Sequence, residues 1–475
     1  MALKGTAVIE LTNVKTGEKE RYVEHNLITK ALEYMHQPIG GLKLPQTNTG
    51  SDINDLPYES ILGGLVLWDK AIEENDAIVT KPAGIRMVGC AAHGQVNTTT
   101  SACRGSYNAT ESYFTNSSVE TSMKFVYDFT TSQANGTINC ISLTNWKAGW
   151  NGFGGNEILL DTCASKDNYL GSNLGYATDT GYWFFGNANS PANLLYVDPE
   201  EDVFYQVASV NTGSVVIDKR RANIHQRSMF GRMYVENPLI ESITVDLPST
   251  MTGAYYYFSN YDADSDTAYI VVGPSSSTIA SGGTFYVIEI NMATYEATLH
   301  TVKNPRSASF YLDHRYIVCH KGYLYYAYGG LYSVYKVSLD DSSYSLIHIP
   351  IGYVYSSDMF ILLANGAIYF RIQGKADNGS NYERTAVLFA DDNEIRITGS
   401  SYYPYRYDNY RRCFCPIKGN PLLFYYPYTY SSSSNSATAY KWLDTNYLAT
   451  INNLARPIEK TSDKTMKITY TIQEM

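Results

Sequence analysis

We predict a mostly β protein whose larger part is a β-propeller-like body of about five to seven four-stranded units. Two observations lead to this fold class. Three segments repeat a strand–turn–strand pattern, and 44 of the 475 residues are tyrosine, which has strong strand propensity. Because the repeats are irregularly spaced and no WD or kelch signature occurs, an array of β-sandwiches stays open as the alternative fold.

The repeat is clearest at three predicted hairpins. Their turns are Lys321-Gly322, Asn365-Gly366 and Lys418-Gly419, each between two apolar, aromatic-rich segments. A third strand follows each hairpin, at residues 333–337, 386–389 and 439–442, and a fourth at 344–349, 395–398 and 448–451. Four antiparallel strands in roughly 40–50 residues are typical of a propeller blade.

Earlier segments fit the same pattern more loosely. One unit is predicted from strands at residues 254–258, 268–272, 284–290 and 296–302. A further unit includes 182–185, 194–197 and 203–207, and residues 209–250 have room for one more. We therefore place the body at residues 166–452.

A head is predicted at residues 1–83. Strand Thr6–Leu11 and its return over Glu20–Glu24 form a hairpin around a turn at Gly17. Asn26 is then expected to cap a helix, because apolar residues follow at helical spacing. These residues are Ile28, Ala31, Leu32 and Met35, with Pro38 after them. Residues 61–68 read as a buried strand.

A β-rich middle follows at residues 84–165, and a last segment at 453–475. In the middle, strands over residues 124–130 and 138–144 flank Asn135-Gly136, so we expect one long hairpin. In the last segment, Met466, Ile468 and Tyr470 alternate as in a half-buried strand. We expect that strand to pair with the head or the middle.

Charge and composition exclude several classes of partner. The net charge is −10 and the isoelectric point is near 5.4, so no nucleic-acid partner is expected. The first residues lack the apolar segment of a secretory signal, and no apolar run is long enough for membrane insertion. Seven irregularly spaced cysteines then indicate reduced thiols in a protein made in a cytoplasm.

One acidic segment has the alternation of a calcium loop, at Asp262, Asp264 and Asp266. An EF-hand continues with glycine at its sixth position and glutamate at its twelfth, where this chain has Thr267 and Gly273. We therefore expect a solvated turn and neither a metal nor another cofactor, with a calcium site as the alternative.

No catalytic residue is predicted, because no GxSxG, HExxH, P-loop or Rossmann fingerprint occurs. A polysaccharide depolymerase nevertheless stays open. The carboxylate pairs that cleave glycosidic bonds are brought together in space and leave no sequence pattern.

Aromatic stretches are the candidate ligand-binding residues. The predicted set is Tyr402, Tyr403, Tyr405, Arg406, Tyr407 and Tyr410, together with Tyr428 and Tyr430. Tyrosine beside serine, asparagine and arginine is typical of adaptable recognition surfaces, and aromatic faces stack on sugar rings. The alternative is that these tyrosines are ordinary blade edges packed on neighbouring strands.

Several segments outside the body carry a family resemblance. The chain opens with the strand and turn of Leu3–Gly17, followed by the helix entry Glu24-His25-Asn26-Leu27-Ile28-Thr29. Further segments are Gly63–Lys70, Gly105–Ser112, Val126–Ile138 and Lys460–Tyr470. Together they resemble tail-associated structural and receptor-binding proteins, such as tail fibre and baseplate proteins, of tailed bacteriophages that infect Firmicutes.

The resemblance implies a virion protein of the tail, attached by its head, whose body faces the host cell. Other tail proteins and copies of this chain, by default a trimer, are then the expected partners, with a host cell-surface glycan as a further one. A purely architectural tail or collar protein, and a virion-borne depolymerase, are the alternatives.

Overall fold

The computed structural model describes most of the chain. It covers residues 3–36, 62–79, 82, 85–98, 100–116, 121–144, 194–198, 200–221, 238–274, 277–313, 315–355, 361–362, 366–375, 381–391, 393–397, 415–432, 435–444 and 447–474. Antiparallel strands dominate these residues, which confirms the mostly β fold class.

The described residues up to 144, together with 447–474, form a unit that we call the base. Its elements before the body are β1 (Leu3–Asn13), β2 (Lys19–His25), β3 (Leu27–Ile28), α1 (Ala31–His36), β4 (Gly64–Trp68), β5 (Met87–Ala91), β6 (Ser106–Tyr107), β7 (Tyr113–Asn116), β8 (Thr121–Phe129) and β9 (Gly136–Thr144).

The described residues from 194 to 444 form a second unit that we call the ring. Its strands are β10 (Leu194–Asp198), β11 (Val203–Val210), β12 (Ser214–Arg221), β13 (Leu239–Asp246), β14 (Tyr255–Asp262), β15 (Thr267–Gly273), β16 (Thr278–Ile279), β17 (Thr284–Asn291), β18 (Ala297–Lys303), β19 (Phe310–Tyr311), β20 (Ile317–His320), β21 (Tyr323–Tyr326), β22 (Ser333–Ser338), β23 (Tyr344–His348), β24 (Tyr353–Val354), β25 (Ile361–Leu362), β26 (Ala367–Lys375), β27 (Asn381–Phe389), β28 (Glu394–Ile397), β29 (Cys415–Ile417), β30 (Asn420–Ser432) and β31 (Asn435–Asp444). The chain then returns to the base with β32 (Thr450–Lys460) and β33 (Lys464–Glu474).

Two sheets make up the base. One has the strand order β2-β1-β33-β8-β6, with β7 also paired to β8, and the other has the order β3-β32-β9-β4-β5. The last strand of the chain therefore lies in the middle of the first sheet. There β33 is antiparallel to β1 on one side and to β8 on the other.

One hydrophobic core fills the space between these sheets. Ile9, Phe125 and Ile468 enter it from the first sheet, and Leu67 and Ile141 from the second. Each of these side chains is almost fully buried, as the alternation along half-buried strands requires. The base is thus a β-sandwich built from both ends of the described chain.

Two local predictions for the base are wrong. Strands β8 and β9 occur where expected, but they do not form a hairpin, because β8 pairs with β33 and β9 with β32 and β4. The helix begins only at Ala31. Ile28 lies in β3, paired with Thr450, so a long-range strand partner replaces the first helical turn that the spacing predicted.

The ring consists of small meandering sheets. The first has the order β10-β11-β12-β13, the second β14-β15-β17-β18, and the third β20-β21-β22-β23. In the fourth, β26 pairs with β24 and β25 on one side and with β27, then β28, on the other. The fifth, β29-β30-β31, has three described strands, and β16 pairs with β19 in a separate small sheet.

Successive sheets of the ring pack face to face. One core joins the first and second sheets around Ile217 and Ile270, and another joins the second and third around Val271 and Leu324. A further core joins the third and fourth sheets around Tyr325 and Phe370. This serial packing of four-stranded sheets confirms the propeller-like body.

The first and fifth sheets are hydrogen-bonded to each other in the continuous order β13-β12-β11-β10-β29-β30-β31, which closes the series. Strand β10 runs parallel to β29 with Val197 opposite Ile417, and the amide of Lys418 donates to the carbonyl of Val197 at 2.8 Å. With the two parts of this joined sheet counted separately, the described residues hold five consecutive units, at the lower end of the predicted range.

Two details of the ring differ from expectation. Residues 209–250 add no separate unit, because β12 and β13 complete the sheet that β10 and β11 begin. The strand predicted at 448–451 does not complete the last unit. Leu448, Ala449 and Ile451 are buried in the cores of the base, where β32 pairs with β3 and β9.

The ring rests on the base through its first sheet. Leu194, Val197 and Phe204 belong to the same hydrophobic core as the two sheets of the base. Helix α1 of the base also contacts β30 of the fifth sheet. The two sheets that close the ring are therefore those that contact the base.

Ile468→Ala should lower the free energy of unfolding by about 2–5 kcal/mol, because it leaves a cavity at the centre of the base. Ile468 is fully buried, between Ile9 of β1 and Tyr127 of β8. The matched control, Thr469→Ala, lies on the opposite face of β33 and should cost less than about 1 kcal/mol. Urea denaturation measures both, and equal losses would contradict this arrangement.

Lys460 should make the base more stable as the pH rises from about 8 toward 10. Its Nζ is enclosed by the Thr130 carbonyl at 3.0 Å and Asn135 Oδ1 at 2.9 Å, and burial lowers its pKa to about 8. Since the unfolded lysine keeps its proton to about pH 10.4, the unfolded state binds more protons in this window. Lys460→Met removes the effect, so its melting temperature should fall relative to wild type as the pH rises. Parallel curves for the two proteins would refute the buried-lysine interpretation.

Candidate functional site

The strand order gives the ring two chemically different ends. Short turns between first and second strands, at residues 200–202, 263–266, 321–322 and 418–419, form what we call the hairpin end. The opposite connection end holds the turns between second and third strands and the links between sheets, including residues 247–254, 304–313, 327–332 and 349–352. Candidate side chains lie at both ends.

The tyrosines predicted to bind a ligand fall largely outside the described residues. That is the case for Tyr402, Tyr403, Tyr405, Arg406, Tyr407 and Tyr410. Tyr428 and Tyr430 lie in β30, opposite Ala439 and Ala437 of β31. Their part in ligand binding stays a prediction.

A different tyrosine cluster lies at the connection end, between the second and third sheets. The rings of Tyr311 and Tyr328 stack with centroids 4.6 Å apart, and Tyr316 meets Tyr328 edge-on at 4.8 Å. Arg315 lies over the face of Tyr316, with Cζ 5.1 Å from the ring centroid. Tyr311 and Tyr328 are partly exposed, whereas Tyr316 is buried beneath them.

Asp313 holds the guanidinium of this cluster in place. Arg315 donates from Nε and from a terminal nitrogen to the Asp313 carboxylate, at 3.0 and 2.6 Å. These hydrogen bonds raise the pKa of Arg315, so the cation persists at any physiological pH. Because a two-point contact fixes the plane of the guanidinium, the charge beside the tyrosines is oriented in advance of any ligand.

The same loop carries the exposed aromatic surface toward the fourth sheet. Gly330, with φ of +87°, turns the chain between Tyr328 and Tyr332, and its amide donates to the Val354 carbonyl at 2.9 Å. Tyr332 is 65% exposed and meets Tyr353 edge-on at 5.8 Å. We call Tyr311, Asp313, Arg315, Tyr316, Tyr328, Tyr332 and Tyr353 the tyrosine–arginine face.

This face can bind a flat ligand that has both apolar and hydroxyl surfaces. Tyrosine offers an apolar ring with a hydroxyl at its rim, and a fixed aspartate–arginine pair offers acceptors and donors nearby. The sequence did not identify it because its residues come from three separate loops. One local signal was present, since Tyr316 and Tyr328 lie at the two ends of the predicted hairpin.

The hairpin end brings together a different group. Asp262 is the last residue of β14, Asp264 follows in the turn, and His320 is the last residue of β20 in the next sheet. One potential ligand atom from each lies within 4.8 Å of the other two. Asp262 and His320 are buried, and Asp264 is exposed.

The third predicted acid does not join this group. Asp266 accepts a hydrogen bond from the Tyr261 hydroxyl at 2.7 Å, and Thr267–Gly273 forms β15 instead of continuing a calcium loop. The acids thus belong to the tight turn between β14 and β15. His320 could not be found from local spacing, because it belongs to another sheet.

Asp262 is firmly oriented. Its Oδ1 accepts from the Asp264 amide at 3.1 Å, and its Oδ2 accepts from the Ser265 hydroxyl at 2.9 Å and the Lys321 amide at 3.1 Å. Burial raises the pKa of this carboxyl, but the neighbouring His320 and the hydrogen-bond donors outweigh it and hold the pKa below its usual value. The carboxylate is therefore ionised at neutral pH.

A neighbouring amide ties the same two sheets together. Asn260 Nδ2 donates to the carbonyl of Cys319 at 2.9 Å, and the Cys319 amide donates to Asn260 Oδ1 at 3.0 Å. The side chain thus satisfies both backbone groups of Cys319 on the edge of β20 that faces the second sheet. It links the two strands that end in Asp262 and His320, β14 and β20.

Comparisons with known proteins identify no family. No family model matches the chain, and no curated protein matches it. Solved structures with some likeness include an α-L-arabinofuranosidase from Podospora anserina in complex with cellotriose, with 8% identity and a TM-score of 0.28 over 56% of this chain and 94% of the other. TolB from Acinetobacter baumannii has 10% identity and a TM-score of 0.26 over 58% and 53%.

Dipeptidyl peptidase 4 from Porphyromonas gingivalis has 10% identity and a TM-score of 0.24 over 76% of this chain and 54% of the other. Likeness at this level carries no argument about what this chain does. Within the part of the chain that the structure describes, no helix has the length and apolar character needed to cross a membrane.

Asn260→Ala should open the junction between the second and third sheets. Two buried backbone groups of Cys319 lose their partner, at a cost of about 1–3 kcal/mol, and the Cys319 amide should exchange its hydrogen faster. Asn291→Ala is the control, because Asn291 Oδ1 accepts only from amides of its own turn, Ala293 and Thr294. Hydrogen exchange of the segment containing Cys319 should respond to the first substitution alone; an unchanged rate in Asn260→Ala would disprove the bridging role.

Proposed function

We propose that this chain is a structural protein of a bacteriophage tail that attaches to the virion through its base and presents its ring to the host cell surface. The observation that carries the proposal is the tyrosine–arginine face, a partly exposed aromatic surface with a fixed charged pair. It lies at the end of the ring where loops join the sheets, and loops on a rigid scaffold are where binding residues concentrate.

The distribution of the phage-like segments supports this division of labour. Leu3–Gly17 forms β1 and its turn, Gly63–Lys70 includes β4, and Lys460–Tyr470 joins β32 to β33. All of them therefore belong to the base. The ring lies between β9 and β32 as one inserted unit, so its surface loops away from the base can vary in sequence without disturbing the sheets of the base.

A cell-surface glycan is the ligand that best fits the face. Sugar rings have apolar faces that stack on tyrosine, and their hydroxyls accept from arginine and donate to aspartate. Single glycan contacts are weak, so several copies of the chain on one tail would bind together with a gain from avidity. Other tail proteins would contact the base, and a trimer is the default assembly.

The two alternatives make different demands. A purely architectural tail protein needs no ligand, and its exposed tyrosines would contact neighbouring subunits. A depolymerase needs a carboxylate pair at a cleft that holds a sugar chain. The Asp313–Arg315 pair is neutralised internally and offers no such acid and base at the tyrosine–arginine face, so we assign that face a binding function.

Tyr328→Ala should weaken binding of the fluorescently labelled protein to intact cells of a susceptible Gram-positive strain by about tenfold or more, because it removes the ring on which Tyr311 and Tyr316 pack. The matched control is Tyr344→Ala. Tyr344 is 52% exposed on β23, the outer strand of the third sheet. Its substitution by alanine should leave binding to the cells unchanged.

The panel of strains also separates the alternatives. Binding that is selective for strain and weakened by Tyr328→Ala alone supports receptor recognition. A folded protein that binds no strain would point to the architectural function, and release of soluble sugars from host wall polymer would establish a depolymerase.

A further inference from the structure

His320 is a buried polar side chain whose two nitrogens have no hydrogen-bond partner among the surrounding residues. It is 2% exposed, and neither ring nitrogen has a hydrogen-bond partner. Nδ1 lies 2.9 Å from Asp262 Oδ2, although the two atoms are not aligned for a hydrogen bond. Burying an imidazole without partners costs free energy, so this position calls for a partner that the side chains do not supply.

Close packing from neighbouring sheets encloses the imidazole of His320. On the far side, Nε2 faces Gly366 of the fourth sheet, where a Cβ atom would stand only 2.7 Å away. Gly366 also has φ of +62°, a conformation that favours glycine. Three successive sheets therefore surround this side chain, and its Nδ1 lies beside the carboxylate of Asp262.

The Asp262 carboxylate beside it has capacity for a further contact. Asp262 accepts three hydrogen bonds, and an ionised carboxylate accepts at about four positions. Asp264 is exposed at the mouth of the group. Metal ligands at 2.0–2.2 Å lie at most about 4.4 Å apart, so the three ligand atoms, within 4.8 Å of one another, are already close to the spacing that one bound ion requires.

We propose that Asp262, Asp264 and His320 bind a divalent transition-metal ion of the Zn²⁺ class, which joins the second and third sheets. One imidazole nitrogen with two carboxylate oxygens suits first-row transition metals, whereas calcium and magnesium sites use oxygen ligands alone. The hydrogen bonds to Asp262 from the Ser265 hydroxyl and the Lys321 amide hold the ligand in place, as outer-shell contacts do at metal sites.

The ion completes a junction that the chain already builds. Asn260 links the two sheets through the backbone next to His320, and the ion links them through side chains at the ends of the same strands, β14 and β20. Two ligands come from one sheet and one from the next, so binding should stabilise the folded ring. The site lies at the hairpin end and does not depend on ligand binding at the tyrosine–arginine face.

The test uses the full chain, freed of metal by a chelator that is then removed. Calorimetric titration with Zn²⁺ should show one site per chain and should raise the melting temperature. Asp264→Asn keeps the size of an exposed side chain but removes a charged ligand. Loss of outer-shell contacts alone weakens metal sites by about 10–100-fold, so this variant should bind at least about tenfold more weakly.

Asp266→Asn is the matched control. It carries the same substitution two residues further along the turn, at a carboxylate that accepts from Tyr261, and its affinity should equal that of wild type. Co²⁺ separates this site from cysteine binding, because Co²⁺–thiolate complexes absorb strongly in the near ultraviolet and nitrogen–oxygen complexes do not.

Saturable binding weakened by Asp264→Asn alone, without a thiolate band, supports the site. Three results would overturn it: no saturable binding, equal affinity in wild type and Asp264→Asn, or a thiolate spectrum for the bound ion.

Discussion

The pairing of β33 with β1 on one side and β8 on the other is the constraint on which the rest of the structure depends. It places the last described strand, β33, in the middle of the sheet that also contains the first strand, β1. Ile468 and Tyr470 of β33 then fill the core of the base. Because these contacts join residues more than 300 positions apart, the base cannot be complete until the ring between them has been made, and such long-range pairing is slow.

The ring is closed in a similar way, by pairing of strands that are far apart in sequence. Its first and fifth sheets meet through β10 and β29, and the first sheet also packs into the core of the base. Between neighbouring sheets, polar side chains satisfy strand edges, as Asn260 does for Cys319. A closed series of sheets presents two ends with different chemistry: aromatic and cationic side chains at the connection end, and carboxylates with a buried imidazole at the hairpin end.

Local features of this fold were predictable from the sequence, and long-range ones were not. The turn at Lys321-Gly322 was foreseen because positive φ at Gly322, +74°, is a local requirement that glycine meets. The pairing of β8 with β33 was not foreseen, because an apolar alternation shows that a strand is half-buried without showing which strand lies beside it. The prediction that Ile28 begins a helix failed for the same reason, since its strand partner Thr450 lies far along the chain.

The candidate sites follow the same rule. Alternating acids drew attention to Asp262 and Asp264, but the residue grouped with them, His320, lies at the end of a strand in the next sheet. The tyrosine–arginine face is likewise assembled from loops that no local pattern connects. The high tyrosine content correctly indicated a mostly β protein. Which tyrosines group together depends on how the sheets pack.

Hydrogen exchange of the full chain, followed by mass spectrometry in increasing denaturant, tests the shared closure of the base most directly. We expect peptides from β1, β8 and β33 to be strongly protected and to lose protection together, because the three strands form one sheet. If β33 exchanged as fast as the loops while β1 and β8 stayed protected, the last strand would not belong to that sheet, and a base closed by both ends of the described chain would be disproved.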